Sequence, residues 1–184
     1  TQALFTQNAG ANAYNTAVGY QAGGAVTTGI ENTLIGGEAG DALDVGATNV
    51  AVGKGAIGSD TKGSKAVAVG TGALSSQNFT SATDNYNVAV GYVTGASITT
   101  GVRNTLIGGL AGDAITTAND NTAVGYDAAS ATTTGAMNTV VGTYAFDANT
   151  TGSYNTAIGR AALSSNTTAD SNTAVGYAAG EALT

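Results

Sequence analysis

The chain has no cysteine, histidine, proline or tryptophan in its 184 residues, and only 9% of them are charged. A typical soluble domain carries roughly 25% charged residues. Without Cys or His there is no zinc site of the usual kind, no thiol nucleophile, no disulfide framework and no imidazole base. Lys and Arg number 5 against 12 Asp and Glu, a net charge of −7. Five cations cannot track a phosphate backbone, so nucleic acid is not an expected partner. No apolar run approaches the ~20 residues of a membrane helix, so insertion into a bilayer is not expected. The twelve acids are thinly spread and none pairs across an obvious cleft, so polysaccharide cleavage by two carboxylates is not expected either. The reading is a non-enzyme without cofactor or metal.

What is abundant is small. Gly is 28, Ala 36 and Thr 30, together half of the chain. These residues are arranged in an internal repeat. The string Asn-Thr-Ala-Val-Gly at 15–19 returns with its closing glycine at Gly19, Gly36, Gly53, Gly70, Gly91, Gly108, Gly125, Gly142, Gly159 and Gly176. Every step is 17 residues except the 21 from Gly70 to Gly91. Before the glycine stands a β-branched residue in all ten copies: Val18, Ile35, Val52, Val69, Val90, Ile107, Val124, Val141, Ile158 and Val175. Four before it stands Asn15, Asn32, Asn49, Asn87, Asn104, Asn121, Asn138, Asn155 and Asn172, with Ala66 as the exception. Three after it stands Ala in nine copies, with Thr94 as the exception. Thr-Thr-Gly at 27–29, 99–101, 133–135 and 150–152 marks a second turn.

Asn-Thr-Ala-Val reads as a short strand, alternating, β-branched and bounded by glycine. Thr and Val fall on one face, Asn and Ala on the other. Known helical repeats run to 33 residues or more, so a 17-residue period is one coil of a solenoid. The predicted fold is therefore all-β, a parallel β-solenoid of about ten coils. At about 4.8 Å per coil it forms a rod of roughly 48 Å. Stacking predicts a Val/Ile ladder taken as structural core and an Asn ladder of amides donating to one another. Glycines are expected at corners that need positive φ or close backbone approach. Ala at the third position predicts a thin interior. Buried methyls stabilise by only about 0.8 kcal/mol per CH₂, so the larger apolar groups are expected to be covered by other copies of the chain.

The copies at 15–23, 121–129 and 150–163 resemble the head repeats of YadA-like trimeric adhesins and the repeats of phage and bacterial tail-fibre proteins. The resemblance covers residues from about 15 to 184 and implies a left-handed β-roll with three chains about one axis. It also implies a fibre segment on a virion or cell surface that mediates or spaces attachment. The 17-residue period and Thr in place of Ser depart from the adhesin pattern, so no binding site is carried over. The expected partners are the chain itself, as homotrimer or filament, and a surface glycan or protein. A self-assembling extracellular filament and an ice-binding solenoid are the alternatives. A single repeat domain is expected over 1–184, with repeats from about residue 12. The start Thr1-Gln2-Ala3-Leu4 lacks a Met and a basic leader, and both ends cut the repeat mid-pattern. The chain is therefore expected to be a piece of something longer.

Irregularities remain. Four extra residues fall within 77–86 and predict a projecting loop that carries Phe79. Tyr20, Tyr92, Tyr126 and Tyr177 follow the repeat glycine directly and, with Phe79, are candidate surface contacts. The plainer reading of these tyrosines is packing at a corner or between subunits. Gly53 to Gly58 fits G-x-G-x-x-G, but that motif needs a following helix in a βαβ unit, and here the glycines sit in repeat phase. The Gly-Gly-x-Ala-Gly-Asp strings at 36–41 and 108–113 echo a calcium-binding nonapeptide but do not recur every nine residues.

Overall fold

The computed structural model describes residues 2–10 and 12–182, so the expected repeat boundary at 184 lies outside the described residues. Among these there is no helix. Ten three-residue strands form one parallel sheet: Thr16–Val18, Thr33–Ile35, Val50–Val52, Val67–Val69, Val88–Val90, Thr105–Ile107, Thr122–Val124, Thr139–Val141, Thr156–Ile158 and Thr173–Val175. They lie side by side in chain order, each pairing like with like: Thr16 with Thr33, Ala17 with Leu34, Val18 with Ile35. The fold is a β-solenoid, as the 17-residue period requires.

The main chain outside the strands also bonds from coil to coil. Gly23 N–H donates to Ala39 O at 2.9 Å, Thr27 N–H to Asp44 O at 3.0 Å and Glu38 N–H to Tyr20 O at 2.8 Å. These bonds hold the turns in costly conformations. Thr48, Ile57 and Val93 sit at φ 56°, 52° and 57°. Each such left-handed, β-branched residue costs roughly 1–2 kcal/mol. The repeat glycine shows why its position tolerates no side chain. At Gly36, φ is +136° and an added Cβ would lie 2.6 Å from the Gly53 carbonyl carbon, backbone of the next coil.

The core is narrow, and a rule governs how eight of the coils fill it. Ala22, Ala39, Ala56, Ala73, Ala111, Ala128, Ala145 and Ala162 are fully buried along one wall. Opposite them, the positions four and seven after the repeat glycine exchange volume. Where the fourth is Gly23, Gly40, Gly95 or Gly112, the seventh is Val26, Leu43, Ile98 or Ile115. Where the fourth is Ile57, Leu74, Phe146 or Leu163, the seventh is Asp60, Gln77, Asn149 or Asn166. The glycines leave the room that the aliphatics take. A Cβ on Gly40 would meet Leu34 at 2.8 Å and Leu43 at 2.9 Å, and one on Gly112 would meet Ile115 at 2.8 Å. The polar residues instead cap the following turn. Gly152 N–H donates to Asn149 Oδ1 at 2.9 Å, and Ala169 N–H to Asn166 Oδ1 at 3.0 Å. In these eight coils one of the two positions carries a large apolar group and the other does not, whereas the coil of Ala129 and Thr132 carries neither.

The four-residue insertion changes the stacking locally. Gly63–Ser64 and Thr83–Asp84 form a separate two-stranded parallel ladder. Phe79 does not project as expected: it is 5% exposed and its ring lies against Gly63. Its backbone is pinned, since Phe79 N–H donates to Asp60 Oδ1 at 3.1 Å and its carbonyl accepts from Thr61 Oγ1 at 3.0 Å. The insertion therefore uses its one large apolar residue to extend the core.

The volume rule predicts a rescue within one coil. Leu163→Gly should cost about 3–5 kcal/mol as a cavity, and Asn166→Ile should lose the cap on Ala169. The double variant should be more stable than the sum of the two losses by about 1 kcal/mol or more. Urea midpoints of the four proteins check it, and strict additivity would refute it.

Candidate functional site

Three surfaces are candidates: the outward face of the long sheet, the corner that follows the repeat glycine, and the polar interior at the insertion. On the sheet, alternation decides direction. The middle residue of each strand points inward, and Leu34, Ala51, Ala68, Leu106 and Val140 are fully buried. The flanking residues point out. The Val/Ile ladder is therefore in file as expected, but within one chain it is not core. Val18 and Val175 at the two ends are 60% and 66% exposed, and Ile35 is 38% exposed. Val52, Val69, Val90 and Val124 are half-buried, while Ile107, Val141 and Ile158 are exposed. A second file runs beside it, with Thr in seven copies and Val50, Val67 and Val88 in three consecutive ones. The face is ten strands of Thr/Val-x-Val/Ile without a charge.

The Asn ladder lies inside, and its bonds differ from those expected. From Asn15 to Asn155, each Oδ1 of the ladder accepts from the backbone N–H seventeen residues on, as in Asn32 N–H to Asn15 at 2.8 Å and Asn138 N–H to Asn121 at 3.0 Å. Over the same span, Asn15 to Asn155, each Nδ2 donates to a carbonyl of its own coil fourteen residues on, as in Asn32 to Gly46 at 2.9 Å and Asn121 to Gly135 at 2.9 Å. Direct amide-to-amide bonds join some steps only, such as Asn138 to Asn121 at 3.1 Å and Asn172 to Asn155 at 3.1 Å. The ladder is thus chiefly a clamp across the main chain. It closes each coil through Nδ2 and ties it to the next through Oδ1.

Where Ala66 interrupts the ladder, the insertion repairs it. Asn87 N–H donates to Asn85 Oδ1 at 2.9 Å, and Asn87 Nδ2 reaches Gln77 Oε1 at 2.9 Å. Gln77 Nε2 in turn donates to the buried Asp60 Oδ2 at 2.7 Å, whose Oδ1 accepts from Gly63 N–H at 2.9 Å. Sequence reasoning missed Asp60, Gln77 and Asn85. The signal was present, because the one coil without its Asn is followed by an extra Asn two places early. Among the described residues, Asn85 Nδ2 is a buried side-chain donor with no partner.

At the corner, Tyr20, Tyr92, Tyr126 and Tyr177 are exposed, but they do not form one strip. Tyr20 and Tyr92 stand apart from the others. Tyr126 meets Tyr144 of the next coil edge to face, with centroids 5.7 Å apart and planes at 89°. The Arg160 guanidinium lies 6.0 Å from the Tyr144 ring centre and 5.6 Å from that of Tyr177. Tyr144 was not anticipated, since it stands one place beyond the tyrosine column.

Apart from the buried Asp60, the acids lie toward the surface. Burial pushes the Asp113 and Asp147 carboxyls above their ordinary value, and Asp127 between their coils adds repulsion. Burial raises Asp41 likewise. The hydrogen bonds from Arg103 at 2.7 and 2.8 Å hold Asp120 below its ordinary value. Among the described residues no three acids cluster in a way that could hold a metal ion. No family model, curated protein or solved structure matches the chain.

Asn121→Ala should orphan Asn138 N–H and Gly135 C=O and cost about 2–4 kcal/mol. Hydrogen exchange at Asn138 should accelerate more than at strands three coils away. For Asp113, a raised folded pKa means that the fold holds the proton more tightly than the unfolded chain. Its ionisation therefore lowers stability as pH rises from about the ordinary 3.8 through the raised value. Asp113→Asn should melt higher than the parent at pH 7 and level with it at pH 3. A gain that persists unchanged at pH 3 would contradict the burial cause.

Proposed function

We propose that the chain is a structural and adhesive rod segment, self-associated through its uncharged Thr/Val-x-Val/Ile face, that spaces or mediates attachment at a cell or virion surface. The observation that carries this reading is the exterior position of the Val/Ile file. A solenoid with so thin an Ala and Gly interior keeps ten β-branched residues outside, in register, with no charge among them. Covering what remains exposed would contribute roughly 1 kcal/mol per side chain before association costs. The partner best matched to a file of constant pitch is another copy of the same rod. Resemblance to YadA-like heads and tail-fibre repeats suggests three copies about one axis, outside the cell. The low charge and the lack of imidazole and thiol fit a scaffold better than a catalyst.

The ice-binding alternative competes for the same face, and its support is the Thr file. Val50, Val67 and Val88 interrupt that file across three adjacent coils, which favours the interface reading. Native mass measurement tests the proposal: the expected species is three times 17.7 kDa. Val124→Glu, which places a charge mid-face, should dissociate it to monomer. A parent chain that stays monomeric at tens of micromolar, or thermal hysteresis in that monomer, would overturn the reading.

A further inference from the structure

The aromatic ridge over the last four coils is irregular in a way the repeat does not need. Tyr126, Tyr144, Arg160 and Tyr177 occupy four consecutive coils, so they run along the rod axis at about 4.8 Å per step. The tyrosines are exposed, up to 75% at Tyr177. Their rings are not free to turn independently. Tyr126 and Tyr144 brace each other edge to face, and Arg160 lies against both Tyr144 and Tyr177, with Nη1 donating to the Tyr177 hydroxyl at 3.4 Å. This is a preorganised aromatic platform, which lowers the ordering cost of a ligand that stacks on it.

The charges narrow the ligand. Lys54, Lys65 and Arg103 each pair with an acid. Arg160 has no carboxylate within 4.0 Å among the described residues and keeps guanidinium donors facing solvent. The half-buried Asp127 stands in the same file as Tyr144, one coil earlier, and offers an acceptor. With Asp113 and Asp147 close by and a chain charge of −7, a polyanion is repelled. Exposed tyrosines flanked by one donor and one acceptor match the alternating C–H faces and hydroxyls of an uncharged sugar chain. A linear polysaccharide also advances by about one sugar per coil, so successive rings can meet successive sugars.

We propose that Tyr126, Tyr144, Arg160 and Tyr177 form a binding surface for a neutral, linear polysaccharide lying parallel to the rod. This rests on the attachment reading above and names its ligand. The test is affinity electrophoresis of the whole chain through gels containing mannan, dextran or hydroxyethyl cellulose, with polygalacturonate as the acidic control. Retardation is expected in at least one neutral gel, unchanged between 50 and 500 mM salt as stacking requires, and absent in polygalacturonate. Tyr144→Ala and Tyr177→Ala should each weaken it about tenfold, and Arg160→Ala severalfold. Tyr144→Phe should keep most of it, and Tyr14→Ala on the opposite corner should keep all of it. Native mass of every variant is measured in parallel, so a lost assembly is distinguished from a lost ligand. Retardation in none of the neutral gels overturns the proposal, as does retention in Tyr144→Ala. Preference for polygalacturonate, or binding abolished by salt, overturns it too.

Discussion

The structure depends on one constraint: the lateral neighbour of each residue is its own copy in the next coil. Parallel stacking at a fixed pitch satisfies the backbone only if every coil follows the same path, and the coil-to-coil bonds from Gly23 to Ala39 and from Glu38 to Tyr20 show this holding through the turns as well as the strands. Stability in such an array is close to a sum over neighbours. A costly conformation is therefore tolerated when it recurs, because the bonds that offset it recur as well. Left-handed residues such as Thr48, Ile57 and Val93 persist on these terms. The repeat glycine is stricter, because its missing side chain is the space the next coil's carbonyl occupies.

The same constraint makes the interior narrow and polar. Fourteen residues separate each Asn from the carbonyl its amide reaches, which is nearly a full circuit, so one side chain closes the coil while its oxygen grips the next. Volume is then allotted coil by coil. Leu43 is matched by Gly40, and Asn149 by Phe146, because a side chain at the fourth position would occupy the space the seventh one fills: a Cβ on Gly40 would meet both Leu34 and Leu43. Around residues 60–87 the rule is stretched. Asp60, Gln77, Asn85 and Asn87 replace one missing ladder amide with a buried relay, at the coil that also accepts four extra residues. The unpartnered Asn85 Nδ2 marks where that substitution falls short.

Period, strand position and parallel register were legible in the sequence, since they follow from counting to 17 and from alternation. Three things were harder to read. The Val/Ile file, the most apolar column, reads as core, but alternation with a buried Ala or Leu turns it outward, so it can be core only between copies of the chain. Phe79 was read as a projecting side chain because insertions usually leave the scaffold, yet the only large apolar residue in this one had a glycine-lined site beside it at Gly63. The Asn ladder was expected to pair amides with amides. Backbone donors and acceptors lie nearer, and a main chain left unpaired in the interior costs more. The exchange between the fourth and seventh positions was also written in the sequence, but only as a correlation between columns, and its meaning needs the shared lumen.

Regular and irregular features of such a rod lend themselves to different partners. A side chain repeated at every coil presents one pitch, and the surface that best matches a constant pitch is another rod of the same pitch. That is why the outward Val/Ile file fits self-association on the reading proposed here. A feature confined to a few coils cannot serve that purpose, since most of the interface would lack it. The ridge from Tyr126 to Tyr177 is such a feature, braced by its own contacts and set beside the repeating face. If three copies assemble, the ridge is presented three times at fixed separation, and weak stacking on each would combine when a polymer or a surface engages more than one. On the two proposals made above, the labour divides with the fold: repetition serves the assembly, and departures from repetition serve the specificity.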